Sequence, residues 1–162
     1  KMIGQKILSL ENDMVEATLY FKYYTHQALV KVGMGDQYLS FLDVWRKAID
    51  LGLTTWAETS DLDKTRSDSH AWGSSPNIEF YRTILGIDSD GPGFSKVIIK
   101  PHLGEFKELS GKMPHPKGEI AVSYNLNTKN AQINLPSGIT GNFVFGGKTY
   151  ALKGGMNSIK LE

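Results

Sequence analysis

The stretch ILGIDSDGPGFSKVIIKP, residues 84–101, is where the chain changes from one kind of secondary structure to another. Ile84, Leu85 and Gly86 close an apolar pattern of helical spacing, with glycine at the position where a helix stops. Asp88-Ser89-Asp90-Gly91-Pro92-Gly93 is a run of turn formers and reads as the linker between two domains. Val97, Ile98 and Ile99 then form a β-branched run too short for a helix and suited to a strand.

Working back from this point, the apolar positions Ile78, Tyr81, Ile84 and Leu85 after Ser75-Pro76 predict a helix over 76–86, with proline in its first turn. Tyr38, Phe41, Leu42, Trp45, Ala48 and Ile49 recur at spacings of 3, 4 and 7 and predict a second helix ending at Asp50-Leu51-Gly52. Met14, Ala17, Leu19, Phe21, Tyr24, Ala28, Leu29 and Val32 predict a first helix over 13–32, capped by Asp13 with Glu16 three residues on, and stopped at Gly33. Tyr20, Phe21, Tyr23 and Tyr24 are wider than one helix face, so they are expected to be buried on two sides. Working forward, strands are predicted at 96–100, 106–113, 118–125, 130–135, 142–145, 148–152 and 157–161, with Gly146-Gly147 and Asn127-Thr128 as hairpin turns. The fold class is therefore α+β: helices over 1–88, then an antiparallel β-sandwich over 89–162.

Composition divides in the same place. All three Trp and five of the seven Tyr precede residue 89, and eleven of the 17 Gly follow it. The net charge of +1 gives no clustered basic face for nucleic acid. The absence of cysteine removes disulfides and thiolate metal sites, and no apolar run is long enough to span a bilayer. The chain begins at Lys1 in the middle of a helical pattern, so a fragment of something longer is expected.

Chemistry concentrates in residues 53–76, LTTWAETSDLDKTRSDSHAWGSSP. A plain connector needs Gly, Pro, Asn and Ser, whereas indoles, an imidazole and carboxylates together are the materials of a polar ligand site. Glu58, beside the Trp56 indole, suits a general base, because a carboxylate against aromatic surface is partly desolvated. His70 and Trp72 combine a hydrogen-bonding ring with an aromatic face of the kind that sugar C–H groups pack on. Taken alone, Glu58 also fits an exposed loop residue, His70 a helix brace and Trp72 core. Asp61, Asp63 and Asp68 interleave with Lys64 and Arg66 as a solvated loop would, and their order lacks that of a calcium loop, so no metal is expected. No nucleophile elbow or phosphate-binding glycine fingerprint occurs, so no cofactor is expected. His26, His102 and His115 are scattered, the last two beside prolines and so in turns.

Four motifs in order, TTWAE (54–58), SHAWGSSP (69–76), ILGI (84–87) and PGFSKVIIKP (92–101), resemble the bacterial alpha-L-rhamnosidases of glycoside hydrolase family 78, which are six-hairpin glycosidases. The resemblance runs from about Asp13 to the end of the chain. It implies the last helices of an (α/α)6 barrel followed by the β-sandwich. It also implies an inverting hydrolysis in which Glu58 activates the attacking water and Trp56, His70 and Trp72 line the sugar pocket. Many members carry Trp directly before the Glu, where this chain has Ala57, so the wall beside the base differs. The general acid falls outside this sequence, so the chain alone is expected to be inactive. The implied partners are a rhamnoside and the rest of the barrel, whose absence would promote self-association; the implied placement is periplasmic or secreted. A six-hairpin phosphorylase, or a hydrolase of another sugar, would show the same loop. A β-half that only binds carbohydrate would need exposed aromatic platforms, and Phe94, Phe106, Tyr124, Phe143, Phe145 and Tyr150 are mostly at strand-interior positions, which favours a purely structural β-half instead.

Overall fold

A computed structural model describes residues 2–9, 15–64, 67 and 69–162. The chain divides into two compact units, Lys1–Glu79 and Phe80–Glu162. In the first, α1 spans Met2–Leu8 and α2 spans Leu19–Leu29, continued by a π-helical turn over Val30–Met34. The cap of α2 is Thr18, whose hydroxyl accepts from the Phe21 N–H at 3.4 Å. It is not Asp13, which lies outside the described residues. The stop is where the sequence puts it, at Gly33, whose φ of 82° suits a residue without Cβ. A 3₁₀ segment over Gly35–Leu42 leads into α3, Asp43–Asp50, and α4 is the single turn Pro76–Glu79.

The core of this unit is aromatic around an imidazole. His26 is buried, with its ring centroid 5.5 Å from Tyr38, 5.5 Å from Phe41 and 5.7 Å from Trp45. The face that α2 buries is therefore Leu19, His26 and Leu29, at spacings of seven and three. That choice leaves Tyr20, Phe21 and Tyr24 exposed, against the expectation of burial on two sides. No helix among the described residues is long and apolar enough to cross a membrane.

The second unit opens with a π-helical turn over Phe80–Ile84 and continues as two four-stranded sheets. One holds β1 (Ile87–Ser89), β2 (Lys96–Ile99), β6 (Thr140–Phe145) and β7 (Lys148–Leu152) in that order. The other holds β3 (Glu108–His115), β4 (Gly118–Asn125), β5 (Asn130–Leu135) and β8 (Gly155–Lys160). The sheets share one core, in which Val97, Ile99 and Phe143 of the first meet Ile120, Val122, Tyr124 and Ile133 of the second. Tyr124 stacks on Phe143 with centroids 6.0 Å apart, and its hydroxyl donates to the Leu85 carbonyl at 2.7 Å. Burial pushes the Tyr124 phenol upward, so it remains a donor.

Three details depart from the sequence reading. The sheets are not wholly antiparallel: β2 and β6 run parallel, joined by a long crossover through β3, β4 and β5 of the other sheet. Asp88 and Ser89, read as linker, belong to β1, which pairs with β2. Strand β3 runs through Pro114 to His115, which its position at a sheet edge permits, since proline has no N–H to give there. The Gly146-Gly147 hairpin is as expected, with φ of 57° and 77° at the two turn residues and Phe145 opposite Lys148.

Candidate functional site

The loop after α3 folds back on itself through backbone hydrogen bonds. The Glu58 N–H donates to the Ser67 carbonyl at 2.9 Å, and the His70 N–H donates to the Trp56 carbonyl at 2.8 Å. These two bonds bring residues twelve apart to the same place. The Glu58 Oε1 lies 3.9 Å from the His70 Nε2, with the two side chains 10% and 24% exposed. His70 Nδ1 is buried with no hydrogen-bond partner among the described residues.

Trp72 closes the cluster. Its ring lies against the His70 imidazole, with centroids 4.4 Å apart, and its indole N–H donates to the Glu58 carbonyl at 3.2 Å. At 40% exposed, Trp72 is not core. Trp56 contributes differently, through its carbonyl to His70 and through its Cβ, against which Gly73 sits so closely that a Cβ on Gly73 would come within 2.5 Å. Ala57 is buried. Trp45 of α3, which the sequence reading placed in the core, also braces the loop: its indole N–H donates to the buried Gly73 carbonyl at 2.7 Å. Nothing in the spacing of α3 distinguishes that role from packing.

The charged middle of the loop behaves as a solvated surface. Lys64 approaches Asp61 at 3.6 Å with both side chains exposed, a pair worth little. Arg66 and Asp68 lie outside the described residues. Away from the loop, burial, with help from Lys22, lowers the His26 imidazole to about 4, and Glu79 opposes that shift. His115 ends β3 with its Nε2 2.9 Å from the Phe94 carbonyl, while its Nδ1 accepts from the Lys117 N–H at 3.0 Å. His26 and His115 are structural.

A short helical unit carrying a carboxylate, an imidazole and an indole on one loop is followed in the chain by a two-sheet sandwich, an α+β architecture. Residues 86–160 match the family described as bacterial alpha-L-rhamnosidase C-terminal domain. The chain is 35% identical over 68 residues to an alpha-L-rhamnosidase of Alteromonas sp. (strain LOR), a match covering 40% of this chain and 7% of that protein. The fold is that of solved alpha-L-rhamnosidases. Against the Dictyoglumus thermophilum structure the TM-score is 0.80 at 18% identity, covering 97% of this chain and 22% of that one. Against the GH78 rhamnosidase of Bacillus sp. GL1 it is 0.73 at 21% identity, covering 90% and 17%. The chain thus spans about a fifth or less of the length of these relatives.

Proposed function

We propose that this chain is the C-terminal part of an inverting alpha-L-rhamnosidase, with its helical unit forming the last helices of an (α/α)6 barrel and the strands from Ile87 onward its β-sandwich. Glu58 acts as general base. Its carboxylate takes a proton from a water whose oxygen attacks the anomeric carbon, while the bond to the leaving oxygen breaks and an acid elsewhere in the enzyme protonates that oxygen. Inversion requires the two carboxyls to stand roughly 6.5–9.5 Å apart, leaving room for the water. His70 and Trp72 hold the sugar beside the base, and Trp56 forms the wall behind it. The observation that carries this reading is the convergence of Glu58, His70 and Trp72 on one loop, with carboxylate and imidazole 3.9 Å apart.

The sandwich is read as structural. Tyr124 and Phe143 are fully buried, and Phe94, Phe145 and Tyr150 pack on the core, so no aromatic platform of stacked rings faces outward for a polysaccharide. The test is hydrolysis of an aryl alpha-L-rhamnoside by the full-length enzyme and by its Glu58→Gln variant, following the anomeric configuration of the product. Inverting turnover that drops by several orders of magnitude in a folded variant is expected. A variant that retains activity removes Glu58 from the chemistry. The chain of 162 residues alone is expected to show no turnover.

A further inference from the structure

The outer face of the sheet β3–β4–β5–β8 holds a hollow of about 510 Å³. That volume is within the roughly 300 to 1,000 Å³ of small-molecule sites. The strand register sets its lining in two rows. In one, Lys112 stands opposite Ala121, Ala121 opposite Asn134, and Asn134 opposite Met156; in the other, Ser110 stands opposite Ser123, and Ser123 opposite Gln132. Short side chains, Ala121 and Ser123, therefore sit in the middle, with longer ones around them. Lys112 is the one charged residue in this lining, and it pairs with Glu119 at 3.0 Å. The side chains of Ser110, Ser123, Gln132 and Asn134 make no hydrogen bond to any described residue.

We infer that this hollow binds one ring of a neutral sugar, held by the Gln132 and Asn134 amides. The two residues flank the buried Ile133 on β5, so they project from the same face about 7 Å apart, far enough to reach hydroxyls on both sides of one pyranose ring. Each amide sets a carbonyl oxygen beside an NH2 group, which together accept from one sugar hydroxyl and donate to its neighbour. Ala121 and Met156 offer apolar surface to the ring C–H groups. A covering protein is disfavoured on two grounds. An apolar protein face would strip water from four polar side chains without replacing it. Four strands about 4.8 Å apart and about six residues long also make a face of only roughly 400 Å², half of the roughly 800 Å² that each partner gives to a stable protein interface. Among the described residues no aromatic ring lines the hollow, so it takes a single ring by hydrogen bonding and is no platform for a polysaccharide. The inference is independent of the Glu58 assignment, because every lining residue belongs to the sandwich, whose packing role it leaves intact.

The test follows the Met156 methyl group by ¹³C NMR in the full-length enzyme, with the signal assigned by its loss in Met156→Leu, during titration with L-rhamnose, D-glucose and D-galactose. A saturable shift with at least one of the three sugars is expected. Gln132→Ala and Asn134→Ala should each weaken that binding about tenfold, Ala121→Leu, which fills the middle of the hollow, should abolish it, and Trp72→Ala should leave it unchanged. The absence of a shift with all three sugars overturns the site. So does a titration that is the same in the wild type and both amide variants, because the sugar is then bound elsewhere. A shift that vanishes in Trp72→Ala reports sugar held at the Glu58 loop and overturns the site as well. A shift produced by inorganic phosphate and by none of the sugars assigns the hollow to an anion at Lys112 and overturns the sugar. None of these failures touches the hydrolytic reading, which stands or falls on turnover in Glu58→Gln.

Discussion

His26 should make this chain acid-labile in a way that a single substitution abolishes. Its ring is held among Tyr38, Phe41 and Trp45 and is 4% exposed, and desolvation brings it from 6.5 down to about 4. Lys22 adds to that shift and Glu79 opposes it. The sign follows from linkage. Above pH 6.5 the imidazole is neutral in both folded and unfolded chains and pH has no purchase on it. Between 6.5 and about 4 the unfolded chain takes up the proton and the folded one does not, so stability falls with pH, and below 4 the loss is complete. At about 1.36 kcal/mol per pH unit the full loss is about 3.4 kcal/mol, of which about 2 kcal/mol is reached at pH 5. The perturbation is His26→Phe, which keeps a flat ring in the same aromatic cage and removes the titration. Urea unfolding followed by Trp fluorescence, at pH 7 and pH 5, gives the two stabilities for wild type and variant. The wild type should lose about 2 kcal/mol more than the variant on acidification. Equal losses in the two proteins would refute the buried, neutral imidazole, because carboxylate protonation is common to both.

Three further substitutions test the packing and the loop. Tyr124→Phe removes the donor to the Leu85 carbonyl and should destabilise the sandwich by roughly 1–3 kcal/mol, read as an earlier urea midpoint with unchanged slope. Gly86→Ala places a Cβ 2.2 Å from the Pro101 nitrogen at a φ of 78°, so soluble, cooperatively folding protein is not expected, and a well-folded variant would show that the 100–101 backbone yields. Trp45→Phe leaves the buried Gly73 carbonyl without its indole donor; in the full-length enzyme, kcat on an aryl rhamnoside should fall about tenfold through misplacement of His70 and Trp72, alongside a stability loss of roughly 1–3 kcal/mol.

Legibility in the sequence followed the length scale of the forces involved. The glycine stops at Gly33, Gly52 and Gly86, the Gly146-Gly147 hairpin and strands β4, β5 and β7 were all readable, because each is set by local backbone chemistry or by period-two burial. The N-terminal cap of α2 was misread because Asp13 with Glu16 resembles a capping box as well as Thr18 does a plain cap. The face of α2 was misread for a different reason. An aromatic-rich segment gives no clear moment, and the decision fell to His26, a residue whose polarity argues against burial until three aromatic rings surround it. The parallel pairing of β2 with β6 is a long-range matter, since no local signal at Lys96–Ile99 specifies which strand, forty residues on, lies beside it. The candidate site was visible as a composition, two Trp, a His and carboxylates in one loop; its bracing by Trp45 was not, because a hydrogen bond across 28 residues leaves no trace in spacing.

The way the loop is built bears on how cleanly the site can be tested. Glu58 enters the scaffold through its N–H to Ser67 and its carbonyl to Trp72; His70 enters through its N–H to Trp56 and its carbonyl to the Gly73 N–H. Every one of these bonds uses the backbone of Glu58 or His70, and none uses the carboxylate or the imidazole. Substituting Gly73 or Trp45 disturbs the loop without touching a reacting group. A loss of activity in Glu58→Gln with an unchanged unfolding midpoint then reports on the carboxylate alone. The same loss in Trp45→Phe reports on position. If a Glu58→Gln/Trp45→Phe double variant is no worse than Glu58→Gln alone, the indole acts only through the base, and the loop is a device for placing one carboxylate.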